Sequence, residues 1–417
     1  MVGSGTLTRR EVFLPEPDVT ADELIARAAA FRPLLRQTQA ENDQRGWYGP
    51  EIHQQFKDAG LYRVVQPRMF GGYQFPFPVF LRIILELAKG HPATAWCYTL
   101  ATSHAFLIAS HWSVEAQAEL FGDGDFRCCQ RAAPAGKITR TEGGYIVDGV
   151  FGFCSGSPVA THFVGASMLA SEDGGPPRPI NFVVPKANYT VLPDWGGESS
   201  LGMRGSGSNS IKLDKVFVPA HHTALNEVVM SSALFDGPPP GLTLHKDPLY
   251  AGVVGGQYLT EFGALSTGVA RAALEAFEDL LRNRPMATDP TRKRMHDPES
   301  QKAFGRATIL ADAAEALTFT AISTWGEQAR RFYEDGTPIT GEDTLKVWNM
   351  AVQGCLMGCE AVETLFHAGG ARDTLGGTLL ERYFRDVQMF RVHVTTQPYW
   401  WSMRAQAALG LPHPRQG

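Results

Sequence analysis

The spacing of hydrophobic residues changes twice along the chain. From about Thr20 to Phe121, apolar positions recur every three to four residues, the period that aligns one face of an α-helix. TADELIARAAAFRPLLRQTQAEND opens on Thr20 with Glu23 three residues on, a reciprocal helix-capping pair. PEIHQQFKDAGLYRVV predicts a second helix closed by Gly60, and PFPVFLRIILELAKG a third stopped by Gly90. HPATAWCYTLATSHAFLIASHW is apolar on most sides, so a fourth helix should be buried all round.

Between Asp125 and about Leu225 the pattern turns to short β-rich runs. GGYIVDGVFGF, ATHFVGASML, PINFVVP, YTVLPDW and SIKLDKVFVP alternate with Gly, Pro and Asp punctuation and predict an antiparallel β domain. A Pro/Gly-rich connector, Ser231 to Tyr250, follows; its FDGPPPGLTLHKDP stretch is equally read as a lid over a binding site or an ordinary surface loop. Four long helical runs then resume, the last expected to continue unbroken from LLERYFRDVQMF through WWSMRAQAAL. The expected class is α+β, mainly α. A helical domain spans 1–124, an antiparallel, β-barrel-like domain 125–230 and a helical bundle 231–417.

Composition narrows the functions. A chain of 417 residues exceeds one core, and 44% hydrophobic with 19% charged residues is a globular mixture. A net charge of -5 offers no basic surface for nucleic acid. The one dense basic cluster, TRKRMHD, is flanked by acidic residues and reads as a solvated loop. No apolar run approaches the ~20 residues of a membrane span, and the first residues do not resemble a secretory signal. Six cysteines in so long a chain predict buried reduced thiols, a cytoplasmic location and no metal site. His221 and His222, after a Val-Pro strand end, are expected to be exposed.

VDGVFGFCSGSPVATHF carries the sharpest question. Its CSGS end is either a tight turn or a strand edge offering hydroxyls to a flat ligand. The helix–β–helix order resembles the acyl-CoA dehydrogenase fold, and four segments carry the likeness. FKDAGLYRVVQPRMFGGYQFPFPVFLRIILELAKGHPATAW and GGYIVDGVFGFCSGSPVATHF are similar to the family's N-terminal and flavin-facing patterns. LGMRGSGSNSIKLDKVFVP and HAGGARDTLGGTLLERYFRDVQMFRVH match its later landmarks. In dehydrogenases of the family a carboxylate base follows the Arg-Asp pair; counted from Arg385 and Asp386 that position is Val394, which takes no proton. His393 stands one residue earlier, and His104 lies in ATSHAFLIA. These departures resemble the two-component, reduced-flavin-dependent monooxygenases of the aromatic hydroxylase type.

The resemblance implies reduced flavin (FMNH2 or FADH2) delivered by a separate NAD(P)H:flavin reductase, O2 as co-substrate, and hydroxylation of an aromatic compound through a flavin C4a-hydroperoxide. It places Ser155 at the flavin N5 with Phe153 behind the ring, and makes His393 and His104 the catalytic pair. Ser157, Arg204, Arg284, Gly369, Gly370 and Thr396 are its other cofactor positions, and a homotetramer is its usual assembly. Arg284 is nearly as well read as a helix-end residue, and the glycine pair as a helix stop. QRAAPAG takes the place of the flavin-pyrimidine loop with Ala132 at the usual hydroxyl. No glycine-rich strand-to-helix motif marks a nicotinamide site. Three other readings stay open: an acyl-CoA dehydrogenase or oxidase with its base at Glu261 or Glu381, an S- or N-oxygenating relative, and a non-catalytic binding protein.

Overall fold

The computed structural model describes residues 16–225, 238–251, 254–397 and 399–411. The N-terminal helices are α1 (Ala21–Ala30), α2 (Arg32–Arg45), α3 (Gly49–Asp58), α4 (Phe77–Gly90), α5 (Pro92–His111) and α6 (Val114–Leu120). Thr20 and Glu23 form the expected capping box. What reads as one first helix is two, because Pro33 lacks an amide hydrogen and its ring excludes a continuous helix through Phe31. Every residue of α5 is buried, so the helix without a polar face runs through the middle of the molecule.

The strands are β1 (Cys128–Gln130), β2 (Lys137–Thr141), β3 (Gly144–Phe151), β4 (His162–Leu169), β5 (Arg178–Pro185), β6 (Thr190–Val191), β7 (Ile211–Pro219) and β8 (Thr223–Leu225). Among the described residues they form two four-stranded sheets, β1-β4-β5-β8 and β2-β3-β7-β6. Phe151 of one sheet meets Phe163 and Phe182 of the other edge-on, at 5.4 and 5.7 Å between ring centres, so the core lies between them. Two details depart from expectation. β1 joins β4 in parallel, with Cys128 opposite His162, and YTVLPDW contributes only Thr190–Val191 before Pro193 ends its pairing.

The C-terminal part holds α7 (Pro240–His245), α8 (Val254–Asn283), α9 (Pro298–Asp335), α10 (Gly341–Gly369), α11 (Leu379–Val392) and α12 (Tyr399–Ala408). Residues 235–237 of the expected lid lie outside the described residues; beyond them, α7 is seated on α5. A methyl on Gly241 would fall 1.9 Å from the Ala109 carbonyl, and His245 Nε2 bonds Gln117 Oε1 at 2.8 Å. The last helical run breaks at His393, whose Nδ1 accepts the Thr395 amide at 3.3 Å and starts a short 3-10 turn. Pro398 in the sequence disfavours helix at Gln397 and reinforces the break.

The Arg-Asp landmark is the joint between α11 and the β region. Asp386 accepts the Met203 amide at 2.7 Å, while a methyl on Gly202 would lie 2.2 Å from the Arg385 carbonyl. Beside it, Asp43 bonds both His91 and Arg382, at 3.2 and 3.0 Å. Because Phe151 is fully buried between the sheets, Phe151→Ala should lower stability by roughly 3–5 kcal/mol, read as a lower urea midpoint.

Candidate active site

The CSGS segment is a turn laid directly on α5. Phe153 and Gly156 both adopt left-handed backbone, at φ 60 and 81. A methyl on Gly156 would fall 2.9 Å from the Cys97 carbonyl, so glycine is needed there for both conformation and close approach. The seating brings Ser155 onto α5: Trp96 Nε1 donates to Ser155 Oγ at 2.9 Å. Ser155 Oγ bonds Ser208 Oγ at 2.7 Å, and Ser208 Oγ bonds Ser206 Oγ at 2.7 Å. All four residues are buried, so the turn delivers a ladder of hydroxyls rather than solvated serines.

The Trp96 indole continues the site on its other side. It stands edge-on to Phe262 at 5.0 Å, and meets Phe390 at 5.3 Å and His393 at 5.7 Å. His393 also packs on Phe262 at 4.8 Å, Phe262 on Tyr258 at 5.6 Å, and Tyr258 on His104 at 6.3 Å. Ser155, His393 and His104 are therefore gathered on one wall by α5, α8 and the end of α11. The Trp96 indole joins Ser155 and His393, bonding the one and packing against the other.

The two histidines are neutral, with opposite polarity. His393 Nδ1 accepts a backbone N–H, so its ring proton sits on Nε2; burial pushes its pKa down to about 4. His104 Nδ1 faces the Cys128 carbonyl at 2.6 Å, and a carbonyl only accepts, so this ring is protonated on Nδ1. Its Nε2 lone pair is buried without a hydrogen-bond partner among the described residues, and burial lowers its pKa as well. One histidine thus donates from Nε2 where the other accepts.

The two carboxylates open to a base role differ. Glu261, on α8, is fully buried beside the Ser103 hydroxyl, and desolvation raises its pKa well above the usual range. Glu381 is paired with Arg385 and accepts the Gly377 amide at 3.1 Å. Val394 is 65% exposed and carries no chemistry.

Other expected cofactor positions separate. Ser157 is fully buried and its hydroxyl donates to the Gly207 carbonyl at 3.0 Å, so it pins the turn. Thr396 likewise spends its hydroxyl on the Phe390 and His393 carbonyls, closing the end of α11. Both have one cause: a buried hydroxyl donates to the nearest backbone carbonyl. Phe153 is 66% exposed and stands edge-on to Trp195 at 6.0 Å, an apolar surface presented at the strand end. Arg204 donates to the Ser200 carbonyl and borders a 410 Å³ cavity with Asp43, Arg382 and Arg385. Arg284, Gly369 and Gly370 come together around another cavity of 570 Å³ with Arg294 and Arg372, although Arg284 is already paired with Asp373 at 2.5 Å.

Trp96, Ser208, Tyr258 and Phe262 were not singled out by sequence reasoning. Helical spacing held the signal: Trp96 and His104 lie eight residues apart on α5, and Tyr258 and Phe262 four apart on α8.

Residues 260–398 match the family described as Acyl-CoA dehydrogenase, C-terminal domain. The structure of 3-HSA hydroxylase from Rhodococcus sp. RHA1 superposes with a TM-score of 0.83 at 25% identity, covering 94% of this chain and 98% of that one. The chain has the acyl-CoA dehydrogenase-like fold. It is 27% identical to the oxygenase component of p-hydroxyphenylacetate 3-hydroxylase from Acinetobacter baumannii, over 91% of this chain and 87% of that protein. It is also 27% identical to the oxygenase component of an FADH(2)-dependent resorcinol hydroxylase from Rhizobium sp., over 95% and 97%. Its likeness is to the reduced-flavin oxygenase branch.

His393 leaves a pH signature. Its folded pKa of about 4 lies below the ~6.5 of an unfolded histidine, so the neutral ring favours folding above that value. This contribution is lost as pH falls from about 6.5 toward 4. His393→Asn should flatten that acid limb of a stability–pH curve, leaving the parts due to His53, His162 and His245, which burial depresses similarly.

Proposed function

We propose that this protein is the oxygenase component of a two-component flavin-dependent monooxygenase, hydroxylating a small aromatic, phenolic compound. The observation that carries the reading is the buried Trp96–Ser155–Ser208–Ser206 ladder beside two neutral histidines. Reduced flavin, as FMNH2 or FADH2 from a separate NAD(P)H:flavin reductase, supplies the activation of O2 when bound.

Ser155 suits the edge of such a ring because its polarity is reversible. Trp96 takes one of its lone pairs. If the ladder donates toward Ser206, Ser155 keeps a second lone pair to accept a ring N–H. If it donates toward Ser155, the Ser155 hydrogen is free to donate to a bare ring nitrogen. Either way the group sits in a site with little access for water, which limits loss of activated oxygen as peroxide. Phe153 and Trp195 supply an apolar face for the ring, and the Arg284–Gly369–Gly370 cavity, with Arg372, supplies cations for a phosphate.

The His104 lone pair is placed to accept a phenol O–H and raise the electron density of its ring. The donor Nε2–H of His393 serves the oxygen side. A dehydrogenase reading requires a carboxylate free to take a proton; Glu381 is paired with Arg385, which leaves Glu261 as that reading's candidate. The relatives named for p-hydroxyphenylacetate and resorcinol favour phenolic carbon over sulfur or nitrogen as the site oxygenated. A cytoplasmic homotetramer completes the proposal; no described helix is long and apolar enough to cross a membrane.

The test supplies chemically reduced FMN or FAD, O2 and a panel of phenols, measuring hydroxylated product and hydrogen peroxide together. Wild type should couple flavin consumption to product. Ser155→Ala should shift most of it to peroxide, and His104→Ala should lower the product rate by roughly 10²–10⁴-fold. Bleaching of bound oxidised flavin by an acyl-CoA, with no product from any phenol, would instead establish the dehydrogenase reading.

A further inference from the structure

Glu119, His221 and His222 form a cluster that the flavin chemistry does not use. Glu119 lies in α6, and the histidines form the 3-10 turn Ala220–His222 between β7 and β8. Both imidazoles aim Nε2 at one atom: Glu119 Oε2 is 3.0 Å from His221 Nε2 and 2.8 Å from His222 Nε2. The three donor atoms lie within 4.8 Å of one another, the only such cluster among the described residues. The expectation that both histidines are exposed is corrected for His222, whose side chain is 11% exposed against 28% for His221 and 51% for Glu119.

We propose that this cluster is a binding site for a divalent transition-metal ion of the zinc class. Two imidazole nitrogens and a carboxylate oxygen suit Zn²⁺, Co²⁺ or Ni²⁺ and are poor ligands for Mg²⁺ or Ca²⁺. Tetrahedral zinc with bonds near 2.0–2.1 Å separates its ligand atoms by roughly 3.3 Å, so the two His–Glu pairs would open by up to about half an ångström, and the two imidazole nitrogens, within 4.8 Å of each other, would settle to the same spacing. The frame is already set. The His222 carbonyl accepts Trp112 Nε1 at 3.0 Å, Thr223 Oγ1 donates to the Ala220 carbonyl, and Ser113 caps α6. The partly exposed Glu119 leaves a solvent route for entry and room for water as a further ligand. Glu115, one turn earlier on α6, is a second carboxylate on the same face. Bound metal would clip the helical part to the β7–β8 turn, apart from the Ser155 wall.

Tag-free, metal-stripped protein titrated with ZnCl2 by calorimetry should bind one ion per chain, and melting should rise by about 2–4 °C at saturation. Glu119→Gln and His221→Ala should each weaken binding at least tenfold and abolish the rise. Co²⁺ added to wild type should give the visible absorption of a four-coordinate site, a readout that needs no variant. No saturable zinc binding, binding undiminished in both variants, or an equal response to Mg²⁺ would each overturn the proposal.

Discussion

A helix with no polar face must be covered on every side, and α5 imposes that demand on the whole chain. α4 and α8 lie along it, α7 seats a glycine on it, and β1 of the β region packs against it. The CSGS turn closes the cover at Gly156, where absence of a side chain lets backbone touch backbone. The candidate site is where these coverings meet. Its position follows from burying α5 as much as from any one catalytic residue.

Enclosing such a helix forces its polar atoms to find partners, and most do so locally. Tyr98 donates to the Leu61 carbonyl, Thr99 to Ala95 and Thr102 to Tyr98. A buried polar atom without a partner costs roughly 1–3 kcal/mol, so such atoms are few in a native core. Here His104 Nε2 remains on the wall of the site. Groups left unpaired by folding are groups that a ligand can satisfy, which ties the energetics of the core to recognition.

The electrostatics of the site follow from the same burial. Desolvation penalises every charged form, so the pKa of both histidines is pushed down and that of Glu261 up. Charges are kept to the margins, where Arg284 pairs with Asp373 and Arg382 with Asp43. A neutral interior with directional hydrogen bonds suits handling a proton at a single atom better than capturing an anion.

Local pattern was sufficient for the helices and strands because their periods are written in consecutive residues: the capping box at Thr20, the buried run of α5, the β-rich middle. It failed at Phe31 and His393, where one proline or one side-chain hydrogen bond outweighed a continuing apolar pattern. Of the candidate site, Ser155, His104 and His393 were named through the family likeness, and what the fold adds is that all three lie along one wall. The partners of hydroxyls such as Ser157 and Thr396 were not legible, because whether a hydroxyl meets a ligand or a carbonyl depends on what folding places beside it. Trp96 reaches Ser155 across 59 residues and Glu119 reaches His222 across 103, separations that no local period encodes. The sequence by itself determined the elements and the chemistry available to them. The tertiary structure alone decided which polar atoms meet, because chain closure sets those distances and burial then sets their protonation.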